Sequence, residues 1–157
     1  MEEGKFYFIK DEFFNKFNIY MMKNKDKTKR PCYFCFFDDE CKNILWFVPV
    51  STKVEKYKNI YDKKIKKYKT VHNFVFGNLH GKDAVFLIQN LFPTTEEYVI
   101  EKYITENKDV VVSKTLKEKV IKQAKTIIKL ANKNINIAFY DIILMKNNLL
   151  KEIPVAV

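Results

Sequence analysis

Two apolar runs, Tyr33 to Phe37 and Ile44 to Val50, stand on either side of the polar stretch Asp38-Asp39-Glu40-Cys41-Lys42-Asn43. Runs this short, rich in aromatic and β-branched residues, read as strands, and a polar turn between them makes an antiparallel hairpin. The strand interiors then belong to a core, which leaves the polar residues at the strand ends as the place for chemistry. Lys29 and Arg30 precede the first strand, and Ser51, Thr52 and Lys53 follow the second, so the hairpin delivers Arg30 and Ser51 to the same end of the sheet. Hydroxyls beside cations can hold a phosphate between them, which points to phosphodiester chemistry. Polar strand ends also arise simply because loops are polar.

The rest of the chain supplies further strands and several helices. Gly4 to Ile9 reads as a first strand, and Asp11 can cap a short helix with Phe13, Phe14 and Phe17 on one face. A lysine-rich loop runs from Lys23 to Lys29. Between Lys53 and Lys69, Val54, Tyr57, Tyr61, Ile65 and Tyr68 step at helical spacing, and Lys56, Lys58, Lys63, Lys64, Lys66 and Lys67 occupy the remaining faces. Asn73 to Leu79 and Ala84 to Gln89 form a second hairpin about His80-Gly81-Lys82-Asp83. Pro93-Thr94-Thr95-Glu96-Glu97 has the composition of a helix start and predicts a helix through about Ile104. Ser113 can cap a long helix with Leu116, Val120, Ala124, Ile127 and Ala131 inward and Lys117, Lys122, Lys125 and Lys129 outward. Ile137 to Leu150 is apolar enough to dock as a helix or a strand. The expected fold is α+β: a small, strongly bent antiparallel sheet, a partly closed barrel, surrounded by helices.

Composition narrows the partners. The 157 residues suit one domain, residues 1–157, and 29 Lys and Arg against 19 Asp and Glu give a formal charge of +10. Joint richness in Lys, Asn, Ile, Tyr and Phe is what an AT-rich coding bias produces, but such a bias raises Asp and Glu as well. The cation surplus therefore favours a polyanionic partner, nucleic acid first. Cys32-x-x-Cys35 has zinc-like spacing without a second pair or nearby histidines, so Cys32, Cys35 and Cys41 read as small hydrophobes in a reducing cytoplasm. His72 and His80 have no evident partner and read as exposed and idle. The acidic Met1-Glu2-Glu3-Gly4 start lacks the features of a signal peptide, and no apolar run approaches the roughly 20 residues of a membrane span.

With these elements placed, the chain resembles the toxins of type III toxin–antitoxin systems, the ToxN/AbiQ group, and within it the CptIN branch. The resemblance rests on Gly4-Lys5-Phe6-Tyr7-Phe8-Ile9, Met22-Lys23-Asn24-Lys25, Arg30-Pro31-Cys32-Tyr33 and Trp46-Phe47-Val48-Pro49-Val50-Ser51. It continues through Lys56-Tyr57-Lys58-Asn59-Ile60-Tyr61, Val75-Phe76-Gly77, and Ala84-Val85-Phe86-Leu87-Ile88-Gln89-Asn90 with Pro93-Thr94. Their order and spacing from about Gly4 to Leu150 carry the match, since none is a strict catalytic signature.

The resemblance implies a metal-independent endoribonuclease with a barrel related to the MazF/Kid toxins and no cofactor. It implies cellular mRNA as substrate, 2′,3′-cyclic phosphate and 5′-hydroxyl products, and a pseudoknot antitoxin RNA that the toxin both processes and is inhibited by. Closed assemblies of toxin and RNA follow, two of each in the CptIN branch. On this resemblance Ser51 and Thr52 orient the scissile phosphate, and Lys53 or Lys56 stabilises its charge. Better-known relatives carry a proline and adjacent lysines after the hydroxyl pair, where this chain has Lys53-Val54-Glu55-Lys56, so the choice of lysine stays open. Arg30 falls at a basic position that can clamp phosphate, and Tyr7 is a possible donor or base-stacking residue, though strand tyrosines are more often core. Lys5, Lys29, Arg30, Lys58, Lys63, Lys64, Lys66, Lys67, Lys117, Lys122 and Lys125 are the expected RNA-binding cations. No residue announces itself as general base; Glu55 is the one carboxylate near Ser51 in sequence. Two other readings use the same cations: a structured-RNA-binding protein without catalysis, and a membrane-surface protein, the latter disfavoured because the inner helix faces are spent on the core.

Overall fold

The computed structural model describes residues 1–19 and 31–155. Within them the chain forms β1 (Phe6–Ile9), α1 (Asp11–Lys16), β2 (Tyr33–Phe37), β3 (Leu45–Ser51), α2 (Val54–Tyr68), β4 (Phe74–Leu79) and β5 (Lys82–Leu87). There follow β6 (Phe92–Thr94), β7 (Val99–Lys102), the small pair β8 (Ile104–Thr105) and β9 (Lys108–Asp109), α3 (Lys114–Asn132) and α4 (Ile142–Leu150). The molecule is thus a mixed α+β structure built on an antiparallel sheet. Its strand order is β4-β5-β3-β2-β1-β7, with β6 also on β3, and the path ends at β4 and β7 without closing on itself among the described residues.

The central strand is β3. Along one edge it pairs with β2 from Tyr33↔Pro49 to Phe37↔Leu45, the hairpin expected from the two apolar runs. Along the other edge it changes neighbour: Leu45, Trp46 and Phe47 face β6, whereas Val50 and Ser51 face Phe86 and Val85 of β5. Pro49 stands at this handover. A proline cannot donate to a ladder, so it fits where one pairing stops and another starts. In consequence β3 ends beside the β4–β5 half of the sheet rather than beside β6.

Aromatic rings fill the core. Phe13, Phe14, Tyr33, Phe47 and Phe92 are all buried, with Tyr33 and Phe92 edge-to-face at 5.2 Å and Phe14 and Phe92 likewise at 5.6 Å. Such pairs add about 0.5–1.5 kcal/mol each beyond area burial. The long helix α3 begins as expected, with Ser113 Oγ accepting the Leu116 amide at 3.3 Å, and it buries Leu116, Val120, Ala124 and Ile127. Ile137 to Leu150 resolves into a loop and the helix α4, which is capped by Asp141 and buries Ile142, Met145 and Leu149. The lysine-rich α2 is anchored more lightly. Its Tyr57, Ile60 and Tyr61 are only half-buried, against Phe74, Val85 and Leu87 of β4 and β5.

Two expectations are corrected. Asp11 is the first residue of α1 rather than its cap; Lys10 holds the cap position without a side-chain bond. The helix expected from Pro93 to Ile104 does not form. Phe92–Thr94 is taken by the edge of β3, and Val99–Lys102 is taken by the free edge of β1, through Tyr7↔Lys102 and Ile9↔Val99. Only a single 3-10 turn, Glu96–Tyr98, remains of the helix-start signal. Open strand edges needed partners, and tertiary pairing outweighed a local propensity worth tenths of a kcal/mol per residue.

Candidate active site

The end of β3 and the start of α2 form one tight corner. The Lys53 amide donates to Ser51 Oγ at 3.2 Å, and the Val54 amide donates to the Thr52 carbonyl at 2.9 Å. Ser51 is half-exposed, while Thr52, Lys53 and Lys56 are exposed, so the corner holds the backbone and leaves the Thr52 hydroxyl and both ammonium groups open to a ligand. The ammonium of Lys56 lies 5.4 Å from the ring centre of Tyr57.

Thr52 opens onto a cleft of about 720 Å³. Apolar side chains of Phe6, Val50, Leu79 and Val110 line it, together with Cys32 and Tyr103. Its polar lining brings together parts of the chain that are distant in sequence: Thr52, then His80, Lys82 and Asp83 from the β4–β5 hairpin, and Thr105, Glu106 and Lys108 from the β8–β9 hairpin. The register explains the meeting. Ser51 pairs with Val85, and β3 runs antiparallel to β5, so the strand points towards the His80-Gly81 turn where it ends, just before Thr52. Val85 is three residues from Lys82, about 10 Å along a strand.

The turn is itself a tight one. Leu79 pairs with Lys82, and both intervening residues have positive φ, His80 at 51° and Gly81 at 78°. That is the two-residue hairpin geometry whose twist matches the flanking strands. The Gly81 amide donates to Asn78 Oδ1 at 2.8 Å, and Asn78 Nδ2 donates to Asp83 Oδ1 at 3.3 Å. The Val111 amide donates to His80 Nε2 at 3.4 Å, tying the ring to the segment that leads into α3.

The remaining expected site residues are spread over the molecule. Tyr7 is buried; its hydroxyl accepts the Glu2 amide at 2.8 Å, its ring meets Phe47 edge-to-face at 6.3 Å, and burial pushes its hydroxyl pKa up. Because neighbouring strand residues face opposite sides, Phe6 reaches the cleft and Tyr7 does not line it. Lys5 is paired with Asp109 at 3.2 Å, which Lys102 also holds. Lys58, Lys63, Lys66 and Lys67 are exposed on α2, and Lys64 is half-buried. Lys117, Lys122, Lys125 and Lys129 border a shallow groove along α3, where Lys125 also reaches Asp39 at 2.7 Å. Lys29 and Arg30 lie outside the described residues, as does the Met22-Lys23-Asn24-Lys25 stretch.

Sequence reading missed Lys82, Lys108 and above all His80. The His80-Gly81 turn was legible as a turn, but which strand lies on the far edge of β5 has no local signature. The cysteines are free thiols, Cys35 buried and Cys32 and Cys41 half-buried; burial pushes Cys32 up to about 11 and Cys35 to about 12. Among the described residues no group of three or more His, Cys, Asp or Glu could hold a metal ion, and no described helix is long and apolar enough to cross a membrane. In comparisons with known proteins, no family model matches the chain and no curated sequence matches it.

Proposed function

We propose that this protein is a metal-independent endoribonuclease toxin of the type III toxin–antitoxin kind, of the ToxN/AbiQ group and its CptIN branch, acting in the cytoplasm. Its active site is the cleft at the end of β3, and its bent sheet is a partly closed relative of the MazF/Kid barrel. The observation that carries this reading is the convergence of Thr52, Lys82 and Lys108 on one cleft, beside the Ser51–Lys53 corner that the resemblance marks as catalytic.

RNA supplies its own nucleophile. The ribose 2′-oxygen attacks the adjacent phosphorus as the bond to the 5′-oxygen breaks, leaving a 2′,3′-cyclic phosphate and a 5′-hydroxyl. The protein has to hold the phosphate in line, offset charge on its non-bridging oxygens and move a proton. Thr52, with Ser51 behind it, orients the phosphate by hydroxyl donation. Lys53 or Lys56 offsets the charge from the α2 side, and Lys82 and Lys108 do so from the cleft lining. The antitoxin, a pseudoknot RNA in an assembly of two proteins and two RNAs, uses the lysines of α2 and α3 outside the cleft.

A second reading, a structured-RNA-binding protein without catalysis, is favoured by the α3 groove with Lys117, Lys122, Lys125 and Lys129, which lies apart from the cleft. The test is incubation of RNA-free protein with end-labelled RNA in EDTA, with analysis of the product ends. Cyclic phosphate ends, lost in Thr52→Ala or Ser51→Ala, support the endoribonuclease. Intact, tightly bound RNA supports the binder.

A further inference from the structure

We propose that His80, in the turn between β4 and β5, is the general base of the cleft and removes the proton from the attacking 2′-hydroxyl; this rests on the endoribonuclease reading above. His80 and Thr52 line the same cleft, and the β3–β5 register points β3 towards the turn that carries His80. Imidazole is also the side chain most often used as a general base.

The backbone at His80 is unusual as well. At φ 51° His80 occupies the left-handed region, which costs an ordinary residue roughly 1–2 kcal/mol. Asn-Gly would make the same two-residue turn at lower cost. A ring held in such a conformation at the rim of a cleft is the kind of local strain that collects at functional sites.

The ring also has a defined orientation. Nε2 accepts the Val111 amide, so in the neutral ring Nε2 carries the lone pair and Nδ1 the proton. At 3.4 Å and exposed, that bond is one a substrate hydroxyl can replace as donor to the same lone pair. The charged groups that share its cleft are Lys82 and Asp83 on its own hairpin and Glu106 and Lys108 on the β8–β9 hairpin. Asp83 is engaged by Asn78. In the step itself, Nε2 takes the 2′-hydroxyl proton as the bond from the 2′-oxygen to phosphorus forms. The bond to the 5′-oxygen breaks with its electron pair, that oxygen is protonated by water, and the imidazolium later returns its proton to solvent.

The test uses two variants that the positive φ tolerates. His80→Asn should keep the fold and RNA affinity, slow cleavage by about 10²–10⁴-fold, and remove the rising limb of the pH–rate profile. His80→Gly should be slow alone and recover rate with added imidazole. Cleavage by His80→Asn at the wild-type rate with the wild-type pH profile overturns the role of His80 and leaves the endoribonuclease reading standing. A loss that follows weakened RNA binding, without imidazole recovery in His80→Gly, also overturns it. Wild-type protein that leaves RNA intact overturns both.

Discussion

The ammonium of Lys146, on α4, lies 2.9 Å from Oδ2 of Asp38, in the turn between β2 and β3. Both side chains are buried, at 10% and 5% exposure, and Lys146 also reaches Glu40 at 3.1 Å. The same carboxylate accepts Trp46 Nε1 at 2.7 Å and the amides of Glu40 and Cys41 at 3.0 and 2.9 Å. The ion pair fastens the C-terminal helix to the central hairpin. Lys146→Met leaves Asp38 charged, buried and short of a partner. Breaking a buried pair this way costs about 3–5 kcal/mol, and the remaining donors to Asp38 place the loss near the lower figure. Urea denaturation measures it.

The same ion pair sets a pH dependence. Burial pushes the Asp38 carboxyl up, but the Trp46 indole, Lys146 and the backbone amides outweigh it and hold the group below its ordinary value. The unfolded chain therefore binds the proton first, at about pH 3.9. The stabilisation is complete above that pH and is lost as pH falls through the lower folded value. Lys146 is held above its ordinary value by Asp38 and Glu40 against the downward pull of burial. Its contribution is whole below about pH 10.4 and is lost as pH rises through the higher folded value. Thermal midpoints followed into acid should fall less steeply for Asp38→Asn than for the wild type.

Gly77 on β4 is pressed by α3. A Cβ there would lie 2.5 and 2.7 Å from the two methyl carbons of Leu116. Gly77→Ala should cost about 1–3 kcal/mol through overpacking. In a Leu116→Ala background the same substitution should cost much less, and a double-mutant cycle on unfolding free energies reads the difference.

Thr52 is exposed and no secondary structure depends on its hydroxyl. Thr52→Ala should leave stability within about 0.5 kcal/mol. On the proposed reading it slows RNA cleavage by about 10²–10³-fold, the usual effect of removing one donor to a developing oxyanion. Single-turnover kinetics beside a thermal melt separates the two effects.

Lys122 and Lys129 border the α3 groove away from the cleft. On the proposed reading, replacing both with Gln weakens binding of a structured RNA and flattens its salt dependence by about 0.7–0.9 in logarithmic slope for each phosphate no longer neutralised. Cleavage of a short single-stranded oligonucleotide should be unaffected. Equal losses in both assays would mean that one surface serves both purposes.

Most strands and the two longest helices could be read from the chain, because a period of two or of 3.6 in apolar residues is a local property. The β2–β3 hairpin, the His80-Gly81 turn, the Ser113 cap and the inner face of α3 all have local signatures. The segment Phe92–Lys102 did not, since its strands are held by the edges of β3 and β1, and an open edge far away leaves no mark on the segment that fills it. The candidate site divides the same way. Ser51, Thr52 and Lys53 stood out as a polar cluster at a strand end, and sequence alone determined that they would sit at a corner between β3 and α2. That His80, Lys82 and Lys108 face the same cleft as Thr52 was decided only by tertiary structure. It depends on β3 leaving β6 at Pro49 and pairing with β5, and strand pairing is a choice among non-local partners.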